Sequence, residues 1–72
     1  MRFNGEIIKD LREELGLNIN EVVGELYKKT KYATSYQNWQ NWENSVEPRG
    51  DALIALSGLF KKNIKEFYDE KV

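Results

Sequence analysis

The sequence contains no cysteine and no histidine, and its 72 residues include a single proline. Without cysteine the chain cannot form a disulfide, and without either residue type it lacks the usual ligands of a zinc site. No run approaches the roughly 20 apolar residues of a membrane span, and the N-terminus has no apolar signal-peptide core. We therefore expect a cytoplasmic protein with no metal, no cofactor and no membrane contact, held together by helix packing.

The chain also has no excess of positive charge. Its 11 Lys and Arg residues face 12 Asp and Glu residues, which leaves a net charge of −1. Most DNA-binding domains are basic, because phosphate neutralisation supplies much of their affinity. The balance therefore argues against strong nonspecific DNA binding, although it leaves room for a local basic patch.

Motifs of catalysis are absent as well. The sequence has no nucleophile–base pair, no cluster of metal ligands and no glycine-rich phosphate loop. The neighbouring carboxylates at Glu13–Glu14 and at Asp69–Glu70 are interpreted as solvated helix charges. The sequence therefore predicts that the protein is not an enzyme.

What the chain does have is apolar residues at helical spacing along almost its whole length, a pattern that predicts five short helices and no strand. Asn4 is a candidate cap for the first helix, and Gly16 marks its end. Asn18 or Asn20 would cap the second helix, and Glu21, three residues after Asn18, completes a capping-box pattern.

The middle of the chain is less regular. Lys28–Thr34 shows no clear period and is interpreted either as a loop or as the fraying end of the second helix. Ser35 would cap a third helix at about 36–44, on which Trp39 and Trp42 stand three residues apart and can both face inward.

The last third predicts a loop and two more helices within one domain that spans residues 1–72. The loop covers Ser45–Gly50, and a fourth helix runs from about Asp51 to Phe60. Asn63 with Glu66 gives a second cap pattern, which opens a short final helix.

Taken in order, these segments resemble the Cro/C1-type (XRE) helix-turn-helix family, over roughly Gly5–Tyr68. The resemblance rests on IIKDLREELGLNINEVV for the first two helices, SYQNWQNWEN for the third, LIALSGLF for the fourth and NIKEFY for the last. It implies an all-α, lambda-repressor-like fold with a lengthened link between helices two and three. Small members of the family include phage switch regulators, which act in the bacterial cytosol.

In this family the third helix enters the major groove of DNA. The resemblance places five residues on its DNA-facing side: Ser35, Tyr36, Gln37, Asn38 and Asn41. Gln37 and Asn41 would pair with adenine through their amides, and Tyr36 would contact a phosphate or a thymine methyl group. The alternative is that these residues form only a solvated helix surface.

Four other residues match structural positions of the family. Arg12 and Glu43 match an internal ion pair that ties the first helix to the third. Trp39 and Trp42 match core positions. For all four, the resemblance favours a structural role over direct contact with a partner.

Departures from the family pattern weaken the contacts to phosphate. The third helix carries no Lys or Arg, and Ser45 replaces the usual glycine after it. In the following loop Glu47 stands beside Arg49. At the start of the second helix Ile19 replaces a phosphate-binding Gln, and if exposed it would be an apolar contact for a partner.

The lengthened link is the remaining departure, with about six extra residues within Tyr27–Thr34. It contains three lysines, namely Lys28, Lys29 and Lys31. They suit a phosphate backbone or an acidic protein surface, or they are simply solvated.

Two functions stay open at nearly equal weight. The first is a repressor or activator of a phage-like lysis/lysogeny switch that binds operator DNA through the helix at about 36–44, with Lys28, Lys29, Lys31 and Arg49 on phosphates. It implies a homodimer on two half-sites. The second is an antirepressor, or modulator of repression, that binds a CI-type repressor and blocks its DNA-reading surface. An antitoxin ranks lower, since no toxin-binding tail is visible.

Overall fold

The computed structural model describes residues 1–69, and these are mostly helical. Seven elements follow one another: β1 (Arg2–Phe3), α1 (Gly5–Glu14), α2 (Ile19–Thr30), α3 (Tyr36–Glu43), α4 (Gly50–Phe60), a 3-10 helix (Ile64–Phe67) and β2 (Tyr68–Asp69). Within the described residues, none of the helices has the length and apolar character that crossing a membrane requires.

The prediction of a fifth helix was only partly right, and the prediction of no strand was wrong. Asn63 and Glu66 do form a capping box, but the helix they open is a single 3-10 turn. It ends because Tyr68 takes an extended conformation and pairs antiparallel with Phe3. Asp69 therefore lies in a strand and not in a helix, whereas Glu70 is outside the described residues.

The helix starts follow the predicted caps. The Asn4 side chain accepts a hydrogen bond from the Glu6 amide at 3.0 Å. Of the two candidates for α2, Asn18 is the cap, since it exchanges hydrogen bonds with Glu21 at 2.8 and 2.9 Å. Asn20 lies inside the helix. These local hydrogen bonds satisfy amides that a helix cannot bond by itself.

The irregular segment after Tyr27 divides between helix and link. Lys28–Thr30 completes α2, which ends at Lys31 in the left-handed region at φ 62°. The amide of Lys31 donates to the Tyr27 carbonyl at 2.8 Å and closes the last turn. Part of the extra length is therefore helical, and the link itself covers residues 31–35.

One hydrophobic cluster joins all four helices and the 3-10 helix. Its largest fully buried side chains are Trp39, Phe67, Ile8, Leu26, Leu56 and Val22. The Trp39 ring packs against Trp42 and Phe60, with centroids 5.5 and 6.3 Å apart. Because α1 and α2 both pack on α3, one side of α3 is fixed in the core and the other is left at the surface.

Candidate partner- or DNA-binding surface on α3

The two sides of α3 differ in chemistry. Trp39 and Trp42 are buried, in agreement with the core role expected of them. The other side carries five amide side chains that we call the amide surface: Gln37, Asn38, Gln40, Asn41 and Asn44. Asn41 is half-buried and the other four are exposed. The helix therefore presents uncharged groups that both donate and accept hydrogen bonds.

The two residues predicted to read bases contact each other. Gln37 Nε2 donates to Asn41 Oδ1 at 3.1 Å across one turn of α3. This bond leaves the carbonyl oxygen of Gln37 and one N–H of Asn41 available for a further hydrogen bond. An acceptor beside a donor matches the edge of adenine, and it equally matches an amide or a peptide group of another protein.

An exposed apolar or aromatic side chain lies at each end of α3. Tyr36, in the first position of the helix, is 47% exposed, and Val46, just after the helix, is 54% exposed. Ser35 accepts a hydrogen bond from the Asn38 amide at 3.1 Å and so caps the helix beside Tyr36. The amide surface is thus bracketed by groups that gain from being buried by a partner.

A recess of about 180 Å³ opens beside the amide surface. Its wall includes Asn38 and Trp42 from α3, Tyr32 from the link, and Arg49 from the loop before α4. A cavity of about 150 Å³ is large enough for a benzene ring. The recess therefore has room for one side chain of a bound partner.

An ion pair between Arg12 of α1 and Glu43 of α3 connects the two helices. Arg12 donates to the Glu43 carboxylate from Nε at 2.6 Å and to the Leu17 carbonyl from Nη1 at 2.9 Å. Trp39 Nε1 donates to the same carboxylate at 2.6 Å. The hydrogen bond with Glu43 is the main reason that the pKa of Arg12 lies above its ordinary value. The ion pair that the resemblance implied is therefore present, and in it Glu43 neutralises the charge of Arg12.

Gly5 also positions α3, and it is not among the residues predicted from the sequence. A Cβ on Gly5 would collide with the carbonyl oxygens of Trp42 and Glu43. The Gly5 amide donates to Ser45 Oγ at 3.0 Å, and Ser45 itself turns the chain at φ 70°. The signal in the sequence was a glycine in the first helical position, which no local rule requires.

Cations are missing from α3 and from the segments next to it. Residues 32–48 contain no Lys or Arg, and their two charged side chains are Glu43 and Glu47. Glu47 accepts a hydrogen bond from the Tyr68 hydroxyl at 2.5 Å. Arg49 is almost fully exposed, and its Nε is 3.9 Å from a carboxylate oxygen of Asp51.

The lysines predicted to contact phosphate at the end of α2 are solvent-exposed. Lys28 and Lys29 are exposed on the last turn of α2. Lys31 is exposed at its end, where Nζ stands 5.6 Å from the centre of the Tyr27 ring. Ile19 is half-buried and packs against the core, so most of its side chain is not free for a partner.

Comparison with protein-family models, with curated proteins and with solved structures finds no match to this chain.

Proposed function

We propose that this protein is a helix-turn-helix regulator of transcription that acts on another protein. As an antirepressor, it covers the DNA-reading surface of a CI-type repressor with the amide surface of α3. The observation that carries this proposal is the chemistry of residues 32–48, which combine five amides and exposed Tyr36 and Val46 with no cation.

DNA binding requires Lys and Arg side chains that contact phosphates, and this surface lacks them. A protein gains most of its nonspecific affinity for DNA by neutralising phosphates with Lys and Arg, each contact adding about −0.9 to the slope of log K against log salt. The guanidinium of Arg12 contacts α3, but its charge is already neutralised by Glu43. A carboxylate at Glu47 beside Arg49 further opposes an approaching phosphate.

Binding to a protein uses what the surface offers. Interface centres are depleted of charge and enriched in aromatic anchors, with amides supplying hydrogen bonds around them. Tyr36 provides the anchor, and the recess beside Asn38 accepts a partner's side chain. The DNA-reading surface of a repressor is itself rich in polar and basic groups, which complement amides and the negative charge of Glu47.

Operator binding by a homodimer is the second candidate. The remaining acceptor of Gln37 and donor of Asn41 match adenine, and their contact across one turn of α3 is the specific observation in its favour. Lys28, Lys29 and Lys31 would then supply the phosphate contacts from the end of α2.

Gel-shift titration on the intergenic DNA beside the gene separates the two functions. The protein is tested alone and together with the repressor encoded next to it, over a series of salt concentrations. As an antirepressor it gives no shift alone and removes the repressor's shift. Tyr36→Ala is expected to reduce the loss of the repressor's shift. Tyr27→Ala, which removes a tyrosine of similar exposure from α2, is expected to leave that loss unchanged.

Two outcomes contradict the antirepressor function. A specific shift by the protein alone that weakens steeply with salt identifies an operator-binding protein. A slower band that needs both proteins identifies a joint complex on DNA. In either case Gln37→Ala tests whether α3 is the surface that reads the bases.

A further inference from the structure

A second exposed surface lies away from the amide surface, where the ends of α1, α2 and α4 meet. Here a groove of about 290 Å³ is lined by the apolar side chains of Leu11, Leu15, Leu59 and Phe60. Leu15 is 53% exposed, although it is a large apolar residue. No residue of α3 contributes to this groove.

The charged lining of the groove is basic. Its charged residues are three lysines, Lys29, Lys61 and Lys62, and one carboxylate, Glu14. Positive charge therefore exceeds negative charge here, although the net charge of the chain is −1. In residues 1–69 the ion pairs join Arg12 to Glu43 and Arg49 to Asp51, and neither involves these lysines. We call this surface the lysine groove.

Helix-end electrostatics explain only part of this arrangement. Lysines near the carboxyl ends of α2 and α4 interact favourably with the negative ends of the helix dipoles. That effect requires no neighbouring apolar surface, yet the lysines surround an open groove that leaves Leu15 in solvent. A cavity of about 150 Å³ holds a benzene ring, so this groove has room for one or two large apolar side chains.

We propose that the lysine groove docks an acidic segment of a protein partner that carries large apolar side chains. The apolar side chains enter between Leu15 and Phe60, and the carboxylates around them approach the three lysines. Phosphate groups of DNA would satisfy the lysines but leave the apolar lining exposed, which favours an acidic peptide. This surface goes beyond the function proposed for α3 and does not depend on it.

NMR spectroscopy of the full ¹⁵N-labelled chain tests the proposal directly. The probe is a synthetic peptide with one Leu and one Phe spaced four residues apart among Glu and Asp residues. We expect amide shifts at Leu15, Lys29, Phe60 and Lys62, and none at Gln37. A peptide with Ser in place of Leu and Phe, and one with Lys in place of the acids, should each bind at least about tenfold more weakly.

Charge reversal supplies the matched variants. Lys29→Glu combined with Lys62→Glu should weaken binding of the acidic peptide at least about tenfold. Lys9→Glu combined with Lys65→Glu reverses two exposed lysines outside the groove and should change the affinity less than about twofold. Leu15→Ser keeps every charge and should also weaken binding. The dispersion of each variant's spectrum shows whether it is folded.

Five results would overturn the proposal. The first four are no shifts with peptide at millimolar concentration, equal losses in the two double variants, shifts that map to α3, and groove shifts produced by duplex DNA. Shifts of groove amides that depend on protein concentration without peptide would assign the groove to a second copy of the chain, and would overturn it too. Because Tyr36 lies outside the groove, failure here leaves the Tyr36→Ala test of the antirepressor function intact.

Discussion

The guanidinium of Arg12 holds the carboxylate of Glu43 with two nitrogens, Nε at 2.6 Å and Nη2 at 3.2 Å. Both side chains are mostly removed from solvent, at 12% and 8% exposure. Since Arg12 also donates to the Leu17 carbonyl, the pair connects α1 with α3 and with the segment before α2. The orientation of the amide surface therefore depends on this contact.

Glu43→Gln should cost about 3–5 kcal/mol in the free energy of unfolding, because it leaves the partly buried charge of Arg12 without its counter-ion. A loss of that size is comparable to the whole stability of a small domain, so urea unfolding should occur at a much lower concentration. Arg49→Gln removes an exposed pair with Asp51 and should change stability by less than about 0.5 kcal/mol. Equal effects of the two variants would show that the Arg12–Glu43 pair does not anchor α3.

Local signals predicted most of the helical architecture. The caps at Asn4, Asn18 and Ser35 each act within three residues, so the sequence alone contains the information that starts α1, α2 and α3. The β1–β2 pair could not be predicted in this way. Its strands have two residues each and lie at opposite ends of the chain, so neither shows a detectable alternation.

The candidate site was predictable where one helix supplies it. The resemblance pointed to Gln37, Asn38 and Asn41 and to the Arg12–Glu43 pair. It did not point to Gln40 and Asn44, although they lie on the same stretch of sequence. The lysine groove was not predictable, because Leu15, Lys29 and Lys62 are brought together only when the ends of three helices meet. The role of Gly5 was not predictable for the same reason, since the backbone it accommodates belongs to residues 42 and 43.

Gly5→Ala and Gly24→Ala should change stability in opposite directions. At Gly5 a methyl group has no space against the carbonyls at the end of α3, and overpacking of this kind costs about 1–3 kcal/mol. At Gly24 a methyl group has no neighbour within 4 Å, so the better helix propensity of alanine should stabilise α2 by up to about 1 kcal/mol. Thermal unfolding of the two variants checks the contrast, and stabilisation by both would refute the close approach at Gly5.

Two threonines near the link provide a second matched pair. Thr34 Oγ1 is buried and has no hydrogen-bond partner in the described part of the chain. Thr34→Val removes this unsatisfied hydroxyl, whose burial costs about 1–3 kcal/mol, and should therefore raise the melting temperature. Thr30→Val should lower it, because Thr30 Oγ1 donates to the Leu26 carbonyl at 2.7 Å and accepts from the Tyr32 amide at 3.3 Å. A lower melting temperature for Thr34→Val would indicate that its hydroxyl is hydrogen-bonded.

The last prediction concerns alkaline pH and the contacts of Tyr68. Tyr68 packs edge-on against Phe3, with ring centroids 5.6 Å apart, and its hydroxyl donates to Glu47 at 2.5 Å. Burial, followed by the hydrogen bond to Glu47, raises the pKa of Tyr68 from 10.0 to about 12. The folded state therefore favours the neutral phenol more strongly than the unfolded chain does.

The sign of the pH effect follows from this raised pKa. The stability contributed by the neutral Tyr68 is complete below pH 10.0 and is lost as the pH rises toward about 12. Tyr68→Phe should thus be less pH-sensitive than the unsubstituted chain between these values, and the difference between their free energies of unfolding should shrink as the pH rises. Glu47→Gln weakens the hydrogen bond that helps to raise the pKa of Tyr68. Tyrosinate absorbance should therefore appear at lower pH than in the unsubstituted chain. An unchanged tyrosinate titration in Glu47→Gln would mean that the Tyr68 hydroxyl is not held against Glu47.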